Sequence, residues 1–487
     1  MRAANGWVSL DRASVNRHPR HPLIALVPGF LLLVVSAPSR HADPGAVARV
    51  NVDFAAKRSV KSMAGMLNGI GCCPVVSDAW FASIEPRIVR GSLPEALLSE
   101  GPAVGKLALM RHLKSRYVLV VSSLWGYPLY GWHHHGNQGA GQPPWVNWAM
   151  WENFVVEQVA RVRRAGASGM FIYDVWNEPD GEIWWTGTRT QLYDTYRRAE
   201  RKIHALDPSA AIAGPSLSGW DPVAIENFLN ACLSTGTQVN VLTWHELLME
   251  PPAGTTADYR DFSEVTNHLK YARSRWLKSS RYAPLKIREI HINEHVGADD
   301  FLRPGEAVAF LAALEAGGAD AAARSCWDPP AVSSDDCWNG SLGGLLDQQT
   351  CGPVPRSLYW VYDTYPDGVA TRVTGVASSP SLAILASASD RESGFPQILL
   401  GHNRMVNGAG KAPFHVSLTL ENLQALKPFA TASTITIEVL GLPDSQTQPL
   451  PSPPLLLRTT APVRDGTATI ALPSIALHSA QIVRIRK

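Results

Sequence analysis

The chain has 487 residues, of which 18% are charged, and its formal net charge is +2. Its length exceeds one compact core and suits a barrel of roughly 250 to 350 residues with a smaller second domain. Such a balanced charge gives no electrostatic basis for binding nucleic acid or an anionic membrane surface, so we expect a neutral partner.

The first 42 residues have the layout of a secretory signal. Arginines at positions 2, 12, 17 and 20 precede an apolar run over 23–35, and small residues follow over 36–42. The apolar run is too short to span a bilayer comfortably. Because the basic leader is long, an uncleaved N-terminal anchor or a misassigned start remains an alternative. We expect a secreted or periplasmic protein.

Short apolar runs predict eight barrel strands with helices between them, which is typical of a parallel α/β barrel. We assign this barrel to residues 50–368. The predicted strands are 63–70, 86–92, 117–125, 170–176, 210–214, 239–245, 285–295 and 321–328, and a further strand candidate is 51–54. The predicted helices are 151–165, 191–206, 222–234, 307–317 and 358–365.

The fourth of these strands ends in a carboxylate. Residues 170–180 read M-F-I-Y-D-V-W-N-E-P-D, an apolar run followed by Asn177, Glu178 and Pro179. Pro179 cannot extend a strand ladder because it has no N–H. Catalytic residues of parallel barrels lie at this end of the strands. Glu178 is therefore a candidate catalytic residue.

The seventh strand ends in a second carboxylate. Residues 285–295 read L-K-I-R-E-I-H-I-N-E-H. Strand alternation predicts that Ile290, Ile292 and Glu294 share one face and that Glu289 lies on the other. We expect the first face to look into the barrel, which would bring Glu294 beside Glu178. The interval between the two glutamates suits about three further βα units.

Two such carboxylates fit the cleavage of a glycosidic bond. One protonates the leaving oxygen while the other stabilises or traps the oxocarbenium-like centre on the opposite ring face. In a retaining pair the groups lie ~5 to 5.5 Å apart. We expect the charge of Glu294 to raise the pKa of Glu178 and keep it protonated.

The W-N-E-P tetrapeptide after an apolar strand, with a second strand-end glutamate, resembles the clan A glycoside hydrolases, retaining (β/α)8-barrel enzymes. The resemblance is nearest to family 39, the β-xylosidase and α-L-iduronidase-like enzymes, which also carry a β-sandwich. It implies that Glu178 is the general acid/base and Glu294 the nucleophile. It also implies that Asn177 holds the sugar 2-hydroxyl.

The resemblance implies further substrate-binding residues at other strand ends. Arg90, on the second strand, would hydrogen-bond the nucleophile and keep it ionised. His245, on the sixth strand, would lie near the nucleophile. Trp327, on the eighth, would be the platform on which the reactive sugar stacks.

A long loop over 126–148 follows the third strand, and we expect it to supply walls of a substrate cleft. Trp125 and His133 are the candidate binding residues here. Three histidines stand together at 133–135, but consecutive side chains do not converge on one ion, and no carboxylate or cysteine stands at ligand spacing. We predict no metal and no cofactor.

Six cysteines are compatible with disulfides in an oxidising compartment. Cys326, Cys337 and Cys351 cluster in one loop-rich region, where a bridge closing a short loop is expected. Their spacing matches no zinc motif.

From about residue 369 the sequence changes to short alternating runs separated by Gly, Pro, Asn and Ser turns, which predicts an all-β sandwich over 369–487. The runs are 382–388, 397–401, 414–420, 434–440, 455–460, 467–472 and 481–485.

The sequence thus predicts a retaining glycoside hydrolase with a (β/α)8 TIM barrel and a β-sandwich, exo-acting on a plant or microbial oligo- or polysaccharide. An endo-acting glycanase or transglycosylase of the same clan, or a non-catalytic carbohydrate-binding barrel, remains an alternative. A serine hydrolase is disfavoured because the sequence has no G-x-S-x-G elbow. The oligomeric state is left open.

Overall fold

A computed structural model describes residues 47–68, 70, 76–92, 104–122, 143–181, 184–248, 261–327, 337, 340–348, 352–389, 394–404 and 412–487. These residues all belong to one structural unit, 42–487. The predicted signal segment 1–42 and the predicted site residues Trp125 and His133 lie outside the described residues. In the described part, no helix is both long and apolar enough to cross a bilayer.

Eight parallel strands close into a barrel, and each of them overlaps a strand predicted from the sequence. Each strand pairs with the next along the chain, and the last pairs with the first. In chain order they are β2 (Gly65–Leu67), β3 (Ile88–Gly91), β4 (Arg116–Val120), β5 (Phe171–Asp174), β6 (Ala211–Leu217), β7 (Val241–Glu246), β8 (Glu289–His295) and β9 (Ala321–Arg324).

Helices lie between these strands, and their ends follow local sequence signals. Thr188 and Gln191 form a capping box at one start, and Asp221 caps another ahead of Pro222. The helices are Asp78–Ser83, Val104–His112, Trp148–Arg164, Arg189–Leu206, Pro222–Thr235, Phe262–Ala272, Pro304–Gly317 and Ser357–Thr364. The sequence did not predict Asp78–Ser83, Val104–His112 or Phe262–Ala272.

The barrel interior has an apolar layer with a polar layer above it. The apolar layer is a separate buried cluster of Ile88, Val118, Ile172, Ala213, Val241, Ala321 and Ala323. Two residues further along their strands, Arg90, Asp174 and Thr243 point the same way and are fully buried. Strand alternation therefore places polar side chains at the carboxyl ends of the strands, where barrel active sites form.

The sequence-based assignment of faces in β8 was wrong for its isoleucines. Ile290 and Ile292 pack in the core between barrel and helices, whereas Asn293 contacts Asp174 inside the barrel. Irregularities in the pairing of β8 with β7 and with β9 fall between Ile292 and Glu294 or His295. A bulge of this kind breaks the two-residue alternation, so Glu294 reaches the interior although Ile290 and Ile292 do not.

The remaining strands form a nine-stranded, mostly antiparallel sheet, the β-sandwich part of the fold. Its alternating buried side chains make a second hydrophobic core. The strand order is β17-β16-β19-β14-β13-β12-β1-β15-β18. The strands are β1 (Val47–Arg58), β12 (Arg372–Ala377), β13 (Leu382–Ser387), β14 (Gln397–His402), β15 (Phe414–Glu421), β16 (Thr434–Leu442), β17 (Leu455–Pro462), β18 (Ala468–Ile475) and β19 (Ala480–Arg486); β10 (Leu346–Asp347) and β11 (Val354–Pro355) pair separately.

The predicted start of the barrel at residue 50 was wrong, because the strand β1 covers this position. It is parallel to β15 and antiparallel to β12, so it belongs to the sheet and not to the barrel. Strand propensity revealed a strand at 51–54 but not its distant partners. The strand β12 was not predicted.

The helix Pro304–Gly317, which follows β8, packs directly on the sheet. The N–H of Gly305 donates to the carbonyl of His478 at 2.8 Å, and a Cβ at position 305 would stand 2.2 Å from the carbonyl oxygen of His402. Only glycine fits this contact. Glu306, fully buried beside it, accepts from the backbone N–H of Arg404 at 2.9 Å and contacts Nδ1 of His478.

Candidate active site

Arg90 joins two carboxylates at the carboxyl end of the barrel. Its Nε and Nη2 donate to Oδ2 of Asp174 at 3.1 and 2.8 Å, and its Nη1 donates to Oε1 of Glu294 at 2.6 Å. The guanidinium is fully buried. Burial lowers the pKa of Arg90, but the charges of Asp174 and Glu294 outweigh burial and raise it. The permanently charged guanidinium of Arg90 therefore offsets the charges of two buried carboxylates, those of Asp174 and Glu294.

Asp174 is held by a network that the sequence analysis missed. It accepts hydrogen bonds from Oγ of Ser216 at 2.7 Å and from Nδ2 of Asn293 at 2.9 Å. Oγ of Ser216 lies 2.8 Å from Oγ1 of Thr243. A charged residue two positions after Ile172 in an apolar strand was an available signal for Asp174. Asn293 could not be assigned to the barrel interior, because the bulge in β8 breaks the alternation of faces on which the prediction relied.

Asn177 is oriented by Arg90. Its Oδ1 accepts from Nη2 of Arg90 at 2.8 Å, and because a guanidinium can only donate, the amide oxygen must face it. The NH2 group of Asn177 is thus the part that can donate to a substrate.

Glu178 stands after β5 in a tight turn. Its backbone φ is +47°, which is uncommon for a residue with a side chain, and its N–H donates to the carbonyl of Ser216 at 2.8 Å. Nδ1 of His245 lies 2.8 Å from Oε1 of Glu178.

Glu178, His245 and Glu294 form one cluster. One donor or acceptor atom from each lies within 4.8 Å of the others, and Nε2 of His245 is 3.9 Å from Oε1 of Glu294. Carboxylate oxygens within 4.8 Å of each other are compatible with the ~5 to 5.5 Å separation of the carboxyl groups in retaining glycosidases. Such a trio also has the composition of a cation site, but the Arg90 guanidinium already balances Glu294, which disfavours an added cation.

The pKa values in the free protein correct the expectation that Glu294 would raise the pKa of Glu178. Burial raises the pKa of Glu178, but the hydrogen bond and charge of His245, with the charge of Arg90, outweigh burial and lower it. Burial raises the pKa of Glu294 against the attraction of His245 and Arg90, and the charge of Glu178 adds to the rise. The expectation failed because it left out His245. Since Glu178 and Glu294 interact, the titrations of the two glutamates are linked.

Trp327 lies after β9 and next to the end of β8. Its indole N–H donates to the carbonyl of Val296 at 3.0 Å, two residues after Glu294. The preceding residue, Cys326, forms a disulfide with Cys337, with a Cα–Cα distance of 5.5 Å. The expected short-loop bridge is thus present, whereas Cys351 lies outside the described residues.

Comparisons with known proteins agree with this fold. No family model matches the sequence. A β-xylosidase of Geobacillus stearothermophilus is 25% identical over 126 residues, a match that spans 25% of this chain and 25% of that protein.

Solved structures match nearly the whole chain. The protein N2152 from Neocallimastix frontalis has a TM-score of 0.68 at 19% identity, over 91% of this chain and 100% of its own. A monomeric β-xylosidase from Caulobacter crescentus has a TM-score of 0.58 at 12% identity, over 90% and 99%. The family 39 glycoside hydrolase from Xanthomonas axonopodis pv. citri has a TM-score of 0.58 at 14% identity, over 91% and 98%.

The fold is that of the clan A glycoside hydrolases, a (β/α)8 barrel with an attached β-sandwich. Within that class the chain is similar to family 39, and named glycosidases are found by both the sequence and the structural comparison.

Proposed function

We propose that the protein is a retaining glycoside hydrolase that works by double displacement. The observation that carries this proposal is the pair of strand-end glutamates, Glu178 and Glu294, with side-chain oxygens within 4.8 Å. That spacing suits direct attack by one carboxylate, because inverting enzymes hold the two carboxyl groups farther apart to fit an attacking water beside the sugar.

Glu294 is the nucleophile in this proposal. Its carboxylate oxygen bonds to the anomeric carbon as the glycosidic C–O bond breaks, and Glu178 donates its proton to the leaving oxygen. Water then attacks the anomeric carbon of the glycosyl-enzyme while Glu178 takes a proton from that water, and the bond between the anomeric carbon and Glu294 breaks. The assignment rests on position: Glu294 bonds to Arg90, whose charge favours an anion, whereas Glu178 does not.

Binding of substrate prepares Glu178 for its role as an acid. The Glu178 side chain is 15% exposed, so a sugar over it would remove its remaining water. Desolvation favours the neutral carboxyl and opposes the effect of His245 on its pKa. Asn177, fixed by Arg90, would donate its NH2 group to the sugar 2-hydroxyl.

The proposed substrates are oligo- or polysaccharide chain ends, with β-xylosides the first choice. The support for exo action on xylosides is that a β-xylosidase is among the sequence relatives and that β-xylosidases are among the structural neighbours. We also propose that the protein is exported to the periplasm or the medium. The Cys326–Cys337 bridge supports an oxidising compartment.

The test is to trap the covalent intermediate. The protein would be incubated with activated 2-deoxy-2-fluoro β-xylosides and β-glucosides, and the adduct located by mass spectrometry of peptides. We expect one glycosyl adduct on Glu294 and none in Glu294→Gln. In Glu178→Ala, azide should restore turnover of an activated aryl glycoside and yield a glycosyl azide.

Hydrolysis that survives in both Glu294→Gln and Glu178→Ala would contradict the mechanism. Products from xylo-oligosaccharides would test exo action, because release of xylose alone at early times indicates attack at chain ends.

A further inference from the structure

Two loops at the carboxyl end of the barrel are joined close to Glu178. The strand ladder between β5 and β6 ends at the pair of Asp174 and Ala213. Beyond the ladder, both carboxylate oxygens of Asp180 contact Ser218: Oδ1 accepts from its backbone N–H at 2.9 Å, and Oδ2 accepts from its hydroxyl at 2.8 Å. Asp180 thus connects the loop after β5 with the loop after β6.

Glu178 begins the turn that contains Asp180. The N–H of Gly181 donates to the carbonyl of Glu178 at 3.0 Å, which closes a four-residue turn with Pro179 and Asp180 at its centre. The N–H of Glu178 donates to the carbonyl of Ser216 on β6 at 2.8 Å. The backbone of Glu178 is therefore attached to the β6 side at its own N–H and, two residues later, through the side chain of Asp180.

The backbone conformation of Glu178 depends on such attachments. Glu178 has a φ of +47°, and Ser216, whose carbonyl it contacts, has a φ of +55°. Residues with a side chain rarely occupy this region, and they stay in it where the surrounding contacts determine the conformation. Loss of the Asp180 contact would let the turn relax towards more favourable backbone angles, and this movement would displace the Glu178 carboxyl group.

The loop on the other side of the contact is fixed by its own packing. Leu217 is buried, and the ring of Trp220 stacks on His268 with a centroid distance of 4.6 Å and packs against Trp244 at 4.9 Å. Ser218 lies between Leu217 and Trp220, so its position is set independently of Asp180. It can therefore serve as the anchor of the turn.

We propose that Asp180 is a positioning residue for the acid/base Glu178, a role that rests on the proposed function and that neither the W-N-E-P motif nor the comparisons assign. Asp180 acts through the backbone: its carboxylate holds the turn against Ser218, and the turn orients the Glu178 side chain. In the free protein that orientation brings Oε1 of Glu178 to 2.8 Å from Nδ1 of His245.

Two substitutions of Asp180 and one control isolate this contact. Asp180→Ala removes both hydrogen bonds and little packing, because the side chain is exposed. Asp180→Asn can keep both, since its amide oxygen accepts from the Ser218 N–H while its NH2 group donates to the Ser218 hydroxyl oxygen. The control is Asp221→Ala: Asp221, three residues after Ser218, also accepts two hydrogen bonds, but from the N–H groups of Val223 and Ala224 at the start of a helix.

The direct test needs no turnover and follows the contact between Glu178 and His245. NMR at one pH records the Nδ1 resonance of His245 in protein labelled with ¹⁵N at histidine, and Glu178→Gln gives the position of this resonance without the carboxylate. We expect Asp180→Ala to move the resonance towards that position, whereas Asp180→Asn and Asp221→Ala leave it near the wild-type position. An unchanged resonance in folded Asp180→Ala, or an equal shift in Asp221→Ala, would overturn the proposal.

Ser218→Ala covers the case in which Asp180→Ala does not fold. This variant removes the hydroxyl donor and keeps the backbone N–H, so one of the two hydrogen bonds to Asp180 remains. We expect the His245 resonance to move in the same direction by a smaller amount. A resonance that stays at the wild-type position in Ser218→Ala would then overturn the role of Asp180.

Kinetics separate positioning of the acid from a merely structural role. Asp180→Ala should slow the hydrolysis of glycosides with poor leaving groups by about 10-fold or more, because their departure depends on the proton of Glu178, while activated aryl glycosides change little. Asp180→Asn should restore most of this loss, and equal losses on both kinds of substrate would contradict positioning. An unchanged His245 resonance overturns only the role of Asp180, whereas absence of the Glu294 adduct overturns the proposed function.

Discussion

Arg90 and Glu294 form a buried ion pair, with Nη1 and Oε1 2.6 Å apart, in which the cation is also bound to Asp174. The same guanidinium orients Asn177. One side chain thus connects the charge state of the proposed nucleophile with the orientation of a proposed substrate ligand.

Replacement of Arg90 should affect both stability and the pH profile. Arg90→Met leaves Asp174 and Glu294 buried without a cation, and we expect the free energy of unfolding at pH 7 to fall by about 3–5 kcal/mol. Loss of the positive charge also raises the pKa of Glu294 further, so ionisation of the nucleophile requires a higher pH and the acidic limb of the activity profile moves up. Urea unfolding and initial rates across pH measure the two effects.

The comparison for this variant is Arg116→Met. Arg116 pairs with Glu289 at the other end of the barrel strands, and both side chains are 25% exposed. We expect a smaller loss of stability and an unchanged acidic limb. If the acidic limb of the activity profile also moved in Arg116→Met, general destabilisation of the barrel would explain the shift, and not the charge of Arg90.

Asn177→Ala should lower kcat/KM only for substrates that carry a 2-hydroxyl. A hydrogen bond that strengthens in the transition state contributes several kcal/mol, so we expect kcat/KM to fall about 10²-fold or more for the normal glycoside. For the matching 2-deoxy glycoside the loss should be small, since the partner group is missing in either case. Equal losses of kcat/KM for the two substrates would mean that Asn177 does not act through the sugar 2-hydroxyl.

Glu306→Gln should stabilise the protein at alkaline pH. Burial, the largest cause, raises the pKa of Glu306 to about 8, whereas an unfolded glutamate titrates near about 4.3. The stability that the neutral carboxyl contributes is complete below about pH 4 and is lost as the pH rises through about 8. Glutamine stays neutral, so the free energy of unfolding of Glu306→Gln relative to wild type should rise between pH 5 and pH 9, by up to about 4 kcal/mol.

Unfolding by urea at several pH values measures this difference between Glu306→Gln and wild type. Glu438→Gln, at a glutamate paired with Arg458 on the sheet, is the control and should show no such growth. A difference that stays constant from pH 5 to pH 9 would mean that Glu306 is already ionised in the folded protein.

The Cys326–Cys337 bridge should stabilise the segment that carries Trp327. Opening this short loop with Cys326→Ala and Cys337→Ala is expected to cost about 2–3 kcal/mol of unfolding free energy. Because Trp327 is adjacent, KM should rise more than kcat falls. Cys232→Ala, at a buried free cysteine on the helix Pro222–Thr235, controls for loss of a thiol and should leave KM unchanged.

The positions of the eight barrel strands could be predicted because buried parallel strands are short apolar runs bounded by polar ends. The same signal located Glu178, whose strand keeps a regular alternation up to Asp174. In β8 the pattern also located Glu294 on the interior face, but it wrongly placed Ile290 and Ile292 on that face, because a bulge has no signature in a two-residue period.

The contacts between distant parts of the chain could not be predicted from sequence patterns. The partner of Glu178 on β7 is His245, and its effect on the pKa of Glu178 depends on a distance that only the folded barrel sets. Asn293 joins Asp174 for the same reason. Trp125 and His133 stay predictions, since they lie outside the described residues.

Because β1 lies between β12 and β15, the barrel is an insertion within the sheet. During synthesis on the ribosome, β1 therefore emerges first but has to wait for its neighbours until the entire barrel has been made. A protein cut at residue 369 would separate the sheet from one of its central strands. The sheet can thus be produced on its own only if β1 is rejoined to it by a short linker, and in the intact chain its closure is a late event of biosynthesis.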